Sequence, residues 1–98
     1  MEKVNIPNLG NFKFILIKKS KGYIIFGDFL PYHSDLLEKF LQLNAGNFEV
    51  DGGGKMLVEN GRIKVYGKSN NYGPFDRKIV KELMEKYCKE CGLELDVE

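Results

Sequence analysis

The hydrophobic positions in the first third of the chain form two short blocks that predict strands. Residues 12–19 are rich in Phe and Ile, which favour extended structure. Both faces of this segment are largely apolar, which is typical of a strand covered on both sides. A turn at residues 20–22 leads to a second predicted strand over residues 23–29. On the first strand, the two alternating faces are Phe12, Phe14, Leu16 and Lys13, Ile15, Ile17.

Two amphipathic segments predict helices. Leu and Phe recur at helical spacing after Pro31, with Ser34 as a suitable N-cap, so the first helix is expected over residues 35–43. The second helix is expected over residues 76–91, and Gly92 is the residue expected to end it. The apolar positions of the second helix are Ile79, Val80, Leu83, Met84, Tyr87, Cys88 and Cys91.

The other segments predict short strands and glycine-containing turns. Asn60-Gly61 is a strong hairpin signal, because a type I′ turn needs positive φ at both central positions. The three glycines at 52–54 predict a tight bend rather than regular structure, since ordering glycine has a large entropic cost. Four further strands are predicted over residues 47–51, 55–59, 62–66 and 93–97.

These elements predict an α/β domain of the α+β layered kind. The expected order is β-β-α-β-β-β-α-β after a leader at residues 1–10, all within a single domain over residues 1–98. Six strands with two helices indicate a mixed sheet flanked by helices on both faces. Helices on opposite faces also explain why the first strand is apolar on both sides.

Composition limits the classes of partner. The chain has 98 residues, and 15 basic against 14 acidic side chains give a net charge of +1. This balance gives no support for a nucleic-acid or anionic-membrane partner. No apolar run approaches the roughly 20 residues of a membrane span, and the first residues lack an apolar signal region. With only two cysteines, a disulfide scaffold is not expected, so we predict a cytoplasmic protein. We also predict that the protein is a monomer.

His33 is the only histidine and lies where a loop meets a predicted helix N-terminus. Unpaired backbone N–H groups and the helix dipole favour an anion at such a point. A histidine placed there can accept a proton or attack phosphorus. The alternative interpretation is an ordinary surface histidine near the start of a helix.

The segment at residues 67–74 is a second candidate, predicted to be a polar, flexible loop between a strand and a helix. Its two glycines allow close backbone approach, and Ser69 offers a hydroxyl. Such a loop can cradle an oxyanion through its N–H groups. The alternative is a plain connector.

Two other motifs do not support a site. Gly54-Lys55 lacks the preceding glycine and following Ser or Thr of a phosphate-binding nucleotide loop, because position 49 is Glu and position 56 is Met. The Cys88/Cys91 pair has no second pair to complete a zinc site, and it lies at a helix end, where the dipole raises thiol pKa values. We therefore expect core packing at these cysteines and chemistry without a metal or cofactor.

Four segments in the same order and spacing resemble the Janus/Ocnus family, whose enzymatic member is the small eukaryotic protein-histidine phosphatase. The resemblance covers roughly residues 11–97. The family's fold is a mixed sheet of about six strands flanked by helices. The matching segments are Phe12-Lys13-Phe14-Ile15-Leu16-Ile17, Tyr32-His33-Ser34-Asp35, Gly52-Gly53-Gly54-Lys55, and residues 63–74, Ile-Lys-Val-Tyr-Gly-Lys-Ser-Asn-Asn-Tyr-Gly-Pro.

The resemblance implies a cofactor-free phosphatase that acts on phosphohistidine in proteins. Its catalytic histidine falls on His33, as general base or nucleophile, and its phosphate-binding lysine falls on Lys13. A second cation falls on Lys55, where the family has arginine, so the charge is kept and the bidentate fork is lost. The family's remaining phosphate contacts fall on Ser34 and Asn71, through their backbone N–H groups, and on Ser69.

Two other function classes stay open. The first is a non-catalytic module that binds phosphate or phosphoproteins in the same anion pocket, since fold does not fix function. The second is a purely structural or regulatory interaction protein. Turnover of a phosphohistidine peptide separates the enzyme from both.

Overall fold

The computed structural model describes residues 3–98, which build one six-stranded mixed sheet with a helix on each face. The strands lie in the order β1-β3-β2-β4-β5-β6. The outer pairs β1/β3 and β5/β6 are parallel, and the inner pairs are antiparallel. The elements are β1 Lys3–Asn5, β2 Gly10–Lys19, β3 Gly22–Asp28, α1 His33–Leu43, β4 Glu49–Glu59, β5 Arg62–Tyr66, α2 Arg77–Cys91 and β6 Glu94–Val97.

The central strand β2 supplies apolar side chains to both faces of the sheet, as its sequence predicts. One face packs under α2 and the other under α1. The predicted mixed sheet with helices on both faces is confirmed. The buried residues on the α2 face include Phe12, Phe14, Leu16, Met56, Val65, Val80 and Met84, and those on the α1 face are Ile15, Ile17, Ile24, Phe26, Leu36 and Phe40.

Both helices form from the predicted amphipathic segments, and α2 matches its prediction closely. Asp76 is the N-cap of α2, and its carboxylate accepts the N–H groups of Lys78 and Ile79 at 3.0 and 3.2 Å. Gly92 ends the helix in the left-handed region, at φ 71°. Neither helix of residues 3–98 has the length and apolar run needed to cross a membrane.

The strands differ from the prediction at two places. Part of the predicted leader, Lys3–Asn5, forms the edge strand β1 and pairs in parallel with β3. The segments predicted as two strands on either side of the glycines form the single strand β4. The bend predicted at residues 52–54 is therefore wrong as a break between two strands, because Gly53 and Gly54 pair with Ile15 and Phe14 of β2. The strand is irregular at Gly52, which has φ 94° and lies where the register with β2 shifts.

Candidate functional site

The first helix begins at His33, two residues earlier than the prediction. The N-cap is Tyr32, in extended conformation, and its N–H donates to the Asp35 carboxylate at 3.2 Å. The Asp35 N–H in turn donates to the Tyr32 carbonyl at 3.1 Å. Because Asp35 supplies the capping carboxylate, Ser34 is not the N-cap and lies in the first turn. Its backbone N–H is therefore one of the first-turn groups without an intrahelical acceptor.

The imidazole of His33 is buried and fixed by one hydrogen bond. Its Nε2 atom lies 2.9 Å from the Gly54 carbonyl oxygen, which can only accept. Nε2 therefore carries the proton, and Nδ1 keeps its lone pair. Among residues 3–98, every buried side-chain nitrogen or oxygen has a hydrogen-bond partner. Nδ1 has no hydrogen-bond partner within this part of the chain, so it is not fully buried and reaches the surface of the adjacent pocket.

His33 is held in its neutral form. Burial lowers the pKa of the imidazole below its ordinary value of 6.5. The Gly54 hydrogen bond acts in the opposite direction, and the positive charges of Lys13 and Lys55 lower the pKa further. At neutral pH the ring is uncharged, so Nδ1 can accept a proton or act as a nucleophile.

Nδ1 of His33 faces a basic pocket of about 350 Å³. The pocket lies at the start of α1, between the facing strands β2 and β4 and the loop at residues 67–74. Three of the lining residues are lysines and none is acidic. We call it the basic pocket, and its lining residues are Lys13, Pro31, Tyr32, His33, Lys55, Lys68, Asn70 and Asn71.

Two lysines of the basic pocket are direct cross-strand neighbours. Lys13 on β2 pairs with Lys55 on β4, which brings their Cβ atoms to about 5 Å. Like charges in such a pair repel each other and destabilise the sheet. Among residues 3–98, neither lysine forms an ion pair with a carboxylate. An anion bound between the two lysines would therefore offset their mutual repulsion.

Ser69 lies beneath the pocket rather than on its surface. It is 2% exposed, and its Oγ accepts the N–H groups of Asn71 and Tyr72 at 3.2 and 3.1 Å. Main-chain hydrogen bonds between Ser69 and Gly73 close the same turn. The loop predicted to be flexible is thus an ordered turn. The Asn71 N–H already has an acceptor, so an anion at that position would share or replace this bond.

Gly53 brings the histidine and the loop together. A Cβ at this position would lie 2.6 Å from the Phe14 carbonyl oxygen and 3.0 Å from Cδ2 of His33. The same Cβ would lie 3.3 Å from that of Ser69. Its N–H donates to the Gly73 carbonyl at 3.1 Å. The absence of a side chain at Gly53 therefore allows the imidazole and the loop to pack on one strand.

The structure gathers most of the sequence-predicted site and adds to it. His33, Lys13, Lys55 and Asn71 line one pocket, whereas Ser34 and Ser69 flank it without lining it. Lys68 and Asn70 also line the pocket and are absent from the predicted set, although both neighbour Ser69 in the chain. The Gly54 carbonyl, which fixes His33, has no signal in sequence, because a backbone acceptor depends only on tertiary contact.

The cysteines lie away from the pocket. Cys88 packs in the cluster under α2, on the other face of the sheet from His33, and Cys91 is exposed. Burial raises the pKa of the Cys88 thiol, and the neighbouring Cys91 raises it further. Within residues 3–98, no group of three or more His, Cys, Asp or Glu side chains is placed to hold a metal ion.

Comparison with protein families identifies the group to which the chain belongs. The sequence matches the model of the Janus/Ocnus family (Ocnus) over residues 1–92, which is nearly the whole chain. The chain belongs to the Janus/Ocnus family. The six residues that the resemblance singles out all lie in the four matching segments, and all line or flank the basic pocket. No curated protein matches the chain in a sequence comparison.

Proposed function

We propose that this Janus/Ocnus protein is a cofactor-free phosphatase that hydrolyses phosphohistidine in proteins. The observation that carries the proposal is the neutral, buried imidazole of His33, whose free Nδ1 faces a pocket with three lysines and no acidic residue. Phosphohistidine as the substrate comes from the resemblance to the family's phosphatase. The cytoplasm is the compartment that fits a phosphoprotein substrate.

The basic pocket offers complementary charge to a phosphoryl group. Lys13 and Lys55 provide positive charge from two adjacent strands, and the first-turn N–H of Ser34 points along the α1 dipole. Stabilising charge on the phosphoryl oxygens is the main source of catalysis in phosphoryl transfer. The Ser69 hydroxyl proton is a further donor at the base of the loop.

His33 acts in one of two ways. As a general base, Nδ1 takes a proton from water while the water oxygen attacks phosphorus. The P–N bond breaks, its electron pair stays on the substrate nitrogen, and the proton passes from His33 to that nitrogen. As a nucleophile, Nδ1 attacks phosphorus while the substrate P–N bond breaks, and its electron pair leaves on the substrate nitrogen, which takes a proton from water. A second water then attacks the phosphorus of phosphorylated His33, the P–Nδ1 bond breaks, and phosphate and neutral His33 are released.

A second candidate is a phosphate-binding module without turnover. The specific observation in its favour is the tight enclosure of His33, which is 4% exposed, together with the occupied N–H of Asn71. The small exposed surface of His33 limits the approach of an attacking water, and the Asn71 N–H would have to leave Ser69 Oγ to hold a phosphoryl oxygen. In that function the same lysines hold a phosphorylated residue and release it unchanged.

Turnover of a phosphohistidine peptide tests the proposal. We expect the wild-type chain to release phosphate, and we expect His33→Ala to lose at least about 100-fold in rate, because a positioned base contributes about that much. His33→Gln is the matched variant that keeps a donor for the Gly54 carbonyl and should stay folded. Wild-type binding of inorganic phosphate without peptide turnover would favour the binding module. If a folded His33→Ala variant turns over the peptide at the wild-type rate, His33 is not a catalytic residue.

A rapid quench of the same reaction separates the two roles. If His33 is the nucleophile, mass spectrometry of the alkaline-quenched protein should show a phosphoryl group on His33. If His33 is the base, no phosphorylated protein should accumulate at any quench time.

A further inference from the structure

A second cavity opens directly beside the basic pocket and has a different character. It has a volume of about 450 Å³ and shares Lys13, Pro31 and Lys55 with the basic pocket. Its other lining residues are Asn11, Phe12, Phe29 and Leu30. We call this cavity the aromatic groove. Because three residues line both cavities, the two lie side by side on the same surface.

The aromatic ring of Phe29 is both exposed and fixed. Phe29 is 58% exposed, which is unusual for a side chain held by specific packing. Its ring meets the edge of Phe12 at 5.8 Å between centroids, with 77° between the planes. It also fills the space of a side chain at Gly10, where a Cβ would lie 2.9 Å from the ring. A rigid exposed ring binds an apolar partner at low entropic cost.

The register of β2 gives the distance from this groove to the phosphate-binding lysine. Asn11 and Lys13 are two residues apart on β2, so they share a face at about 7 Å. In an extended polypeptide, neighbouring side chains are separated by similar distances. A residue one or two positions from a phosphorylated side chain therefore reaches the groove.

We infer that the aromatic groove binds a large apolar side chain one or two residues from the phosphoryl-bearing residue of a polypeptide. The inference rests on the proposed function for the identity of the phosphoryl group. The shared Lys13 and Lys55 favour the anionic end of this segment, and the exposed Phe29 ring and Leu30 favour its apolar end. The preferred substrate is thus a protein segment in which the phosphorylated residue lies beside Leu, Met or Phe.

Two peptides test this inference on the wild-type chain. Each carries a non-hydrolysable phosphonate analogue of phosphohistidine, and they differ only in having Leu or Ser at the two positions on each side of it. We expect the Leu peptide to bind about tenfold more tightly by calorimetry, which corresponds to about 1.4 kcal/mol. Equal affinity for the two peptides would overturn the inference.

Two variants test whether the preference for the Leu peptide arises in the aromatic groove. Phe29→Ala should reduce the Leu preference to less than about twofold and leave the affinity for inorganic phosphate unchanged. Leu41→Ala is the matched control, since Leu41 is 47% exposed on α1 and lies outside both cavities. The control should keep the full preference. A tenfold preference that survives in Phe29→Ala would place the apolar subsite elsewhere.

The result is separable from the proposed function. A Leu preference with no turnover of a hydrolysable phosphohistidine peptide would retain the groove and remove the phosphatase activity. Turnover with equal rates for Leu and Ser peptides would retain the phosphatase activity and remove the groove. If a peptide with unmodified His shows the same Leu preference, the groove binds apolar segments without the anion. That result would overturn the inference that one phosphorylated segment occupies both cavities.

Discussion

The two faces of the sheet each receive one helix but are covered in different ways. On the α2 face, a 15-residue helix closes over a cluster whose buried members are all apolar. On the α1 face, an 11-residue helix and the sheet share a cluster of six buried apolar residues, two of them on the helix, and one end of the sheet is left to the loop at residues 67–74. The two buried polar side chains among residues 3–98, His33 and Ser69, both lie on this side. The comparison indicates that one face supplies most of the buried apolar core and that the other holds the candidate site.

Met84→Ala is the strongest test of the stabilising face. Met84 is fully buried on α2, so removing its side chain should lower the free energy of unfolding by about 2–5 kcal/mol. Urea unfolding would measure this loss, and turnover per folded molecule should remain at the wild-type level. A matching fall in turnover per folded molecule would contradict the separation of the two faces.

Lys13→Ala tests the α1 face, which holds the basic pocket. Loss of a charge-assisted hydrogen bond should weaken binding of inorganic phosphate about 10- to 150-fold, equivalent to about 1.5–3 kcal/mol. Stability should stay the same or rise slightly, because the repulsion with Lys55 is removed. Phosphate titration followed by NMR would measure the affinity. Lys18→Ala is the control, since Lys18 lies on the same strand outside the basic pocket, and a similar loss in Lys18→Ala would place the anion site elsewhere.

The pH dependence sharpens the comparison, because it should arise on the α1 face. The folded pKa of His33 lies below its ordinary 6.5, so protons bind the unfolded chain more readily. The stability that neutral His33 contributes above pH 6.5 should therefore be lost as the pH falls through the folded pKa. Turnover, corrected for spontaneous P–N hydrolysis, should fall about tenfold per pH unit below that pKa.

His33→Gln is the matched control for the pH experiment. Glutamine does not titrate and can still donate to the Gly54 carbonyl, so this variant should lose the contribution of residue 33 to the pH dependence of unfolding. An unchanged pH dependence in His33→Gln would show that other groups cause it.

Lys55→Ala should have the smallest effect. Lys55 is more exposed than Lys13, so water screens its charge and its contribution to phosphate affinity should be about fivefold or less. The same phosphate titration measures it. A loss larger than that of Lys13→Ala would reverse the order of the two lysines in the pocket.

The sequence predicts best what depends on local pattern. The alternation in β2 correctly separates Phe12, Phe14 and Leu16 from the face that carries Lys13. Helical spacing and the Asp76 and Gly92 caps define α2. These signals are short-range, so periodicity and propensity are sufficient to detect them.

The failures have two causes, pairing between distant segments and competition between neighbouring capping residues. Pairing with β2 makes the glycine segment a strand, and no pattern within residues 52–54 shows this. Ser34 is a good N-cap by type, yet Asp35 caps the helix from inside its first turn. Among the residues that line the basic pocket, the family resemblance singles out His33, Lys13, Lys55 and Asn71, whereas Lys68 and Asn70 are found only in the folded loop.

The glycines of β4 also limit how this site could be moved to another protein. Gly54 has no side chain, and its backbone contacts both sides of the sheet. Its carbonyl oxygen holds His33, while a Cβ at this position would lie 2.9 Å from the Phe75 ring. The imidazole and the core beneath it are therefore separated by a single peptide layer. A designer who copied only the histidine and lysines onto a standard sheet would meet branched side chains where this protein has bare backbone. The transferable unit is the glycine strand together with the loop that docks on it.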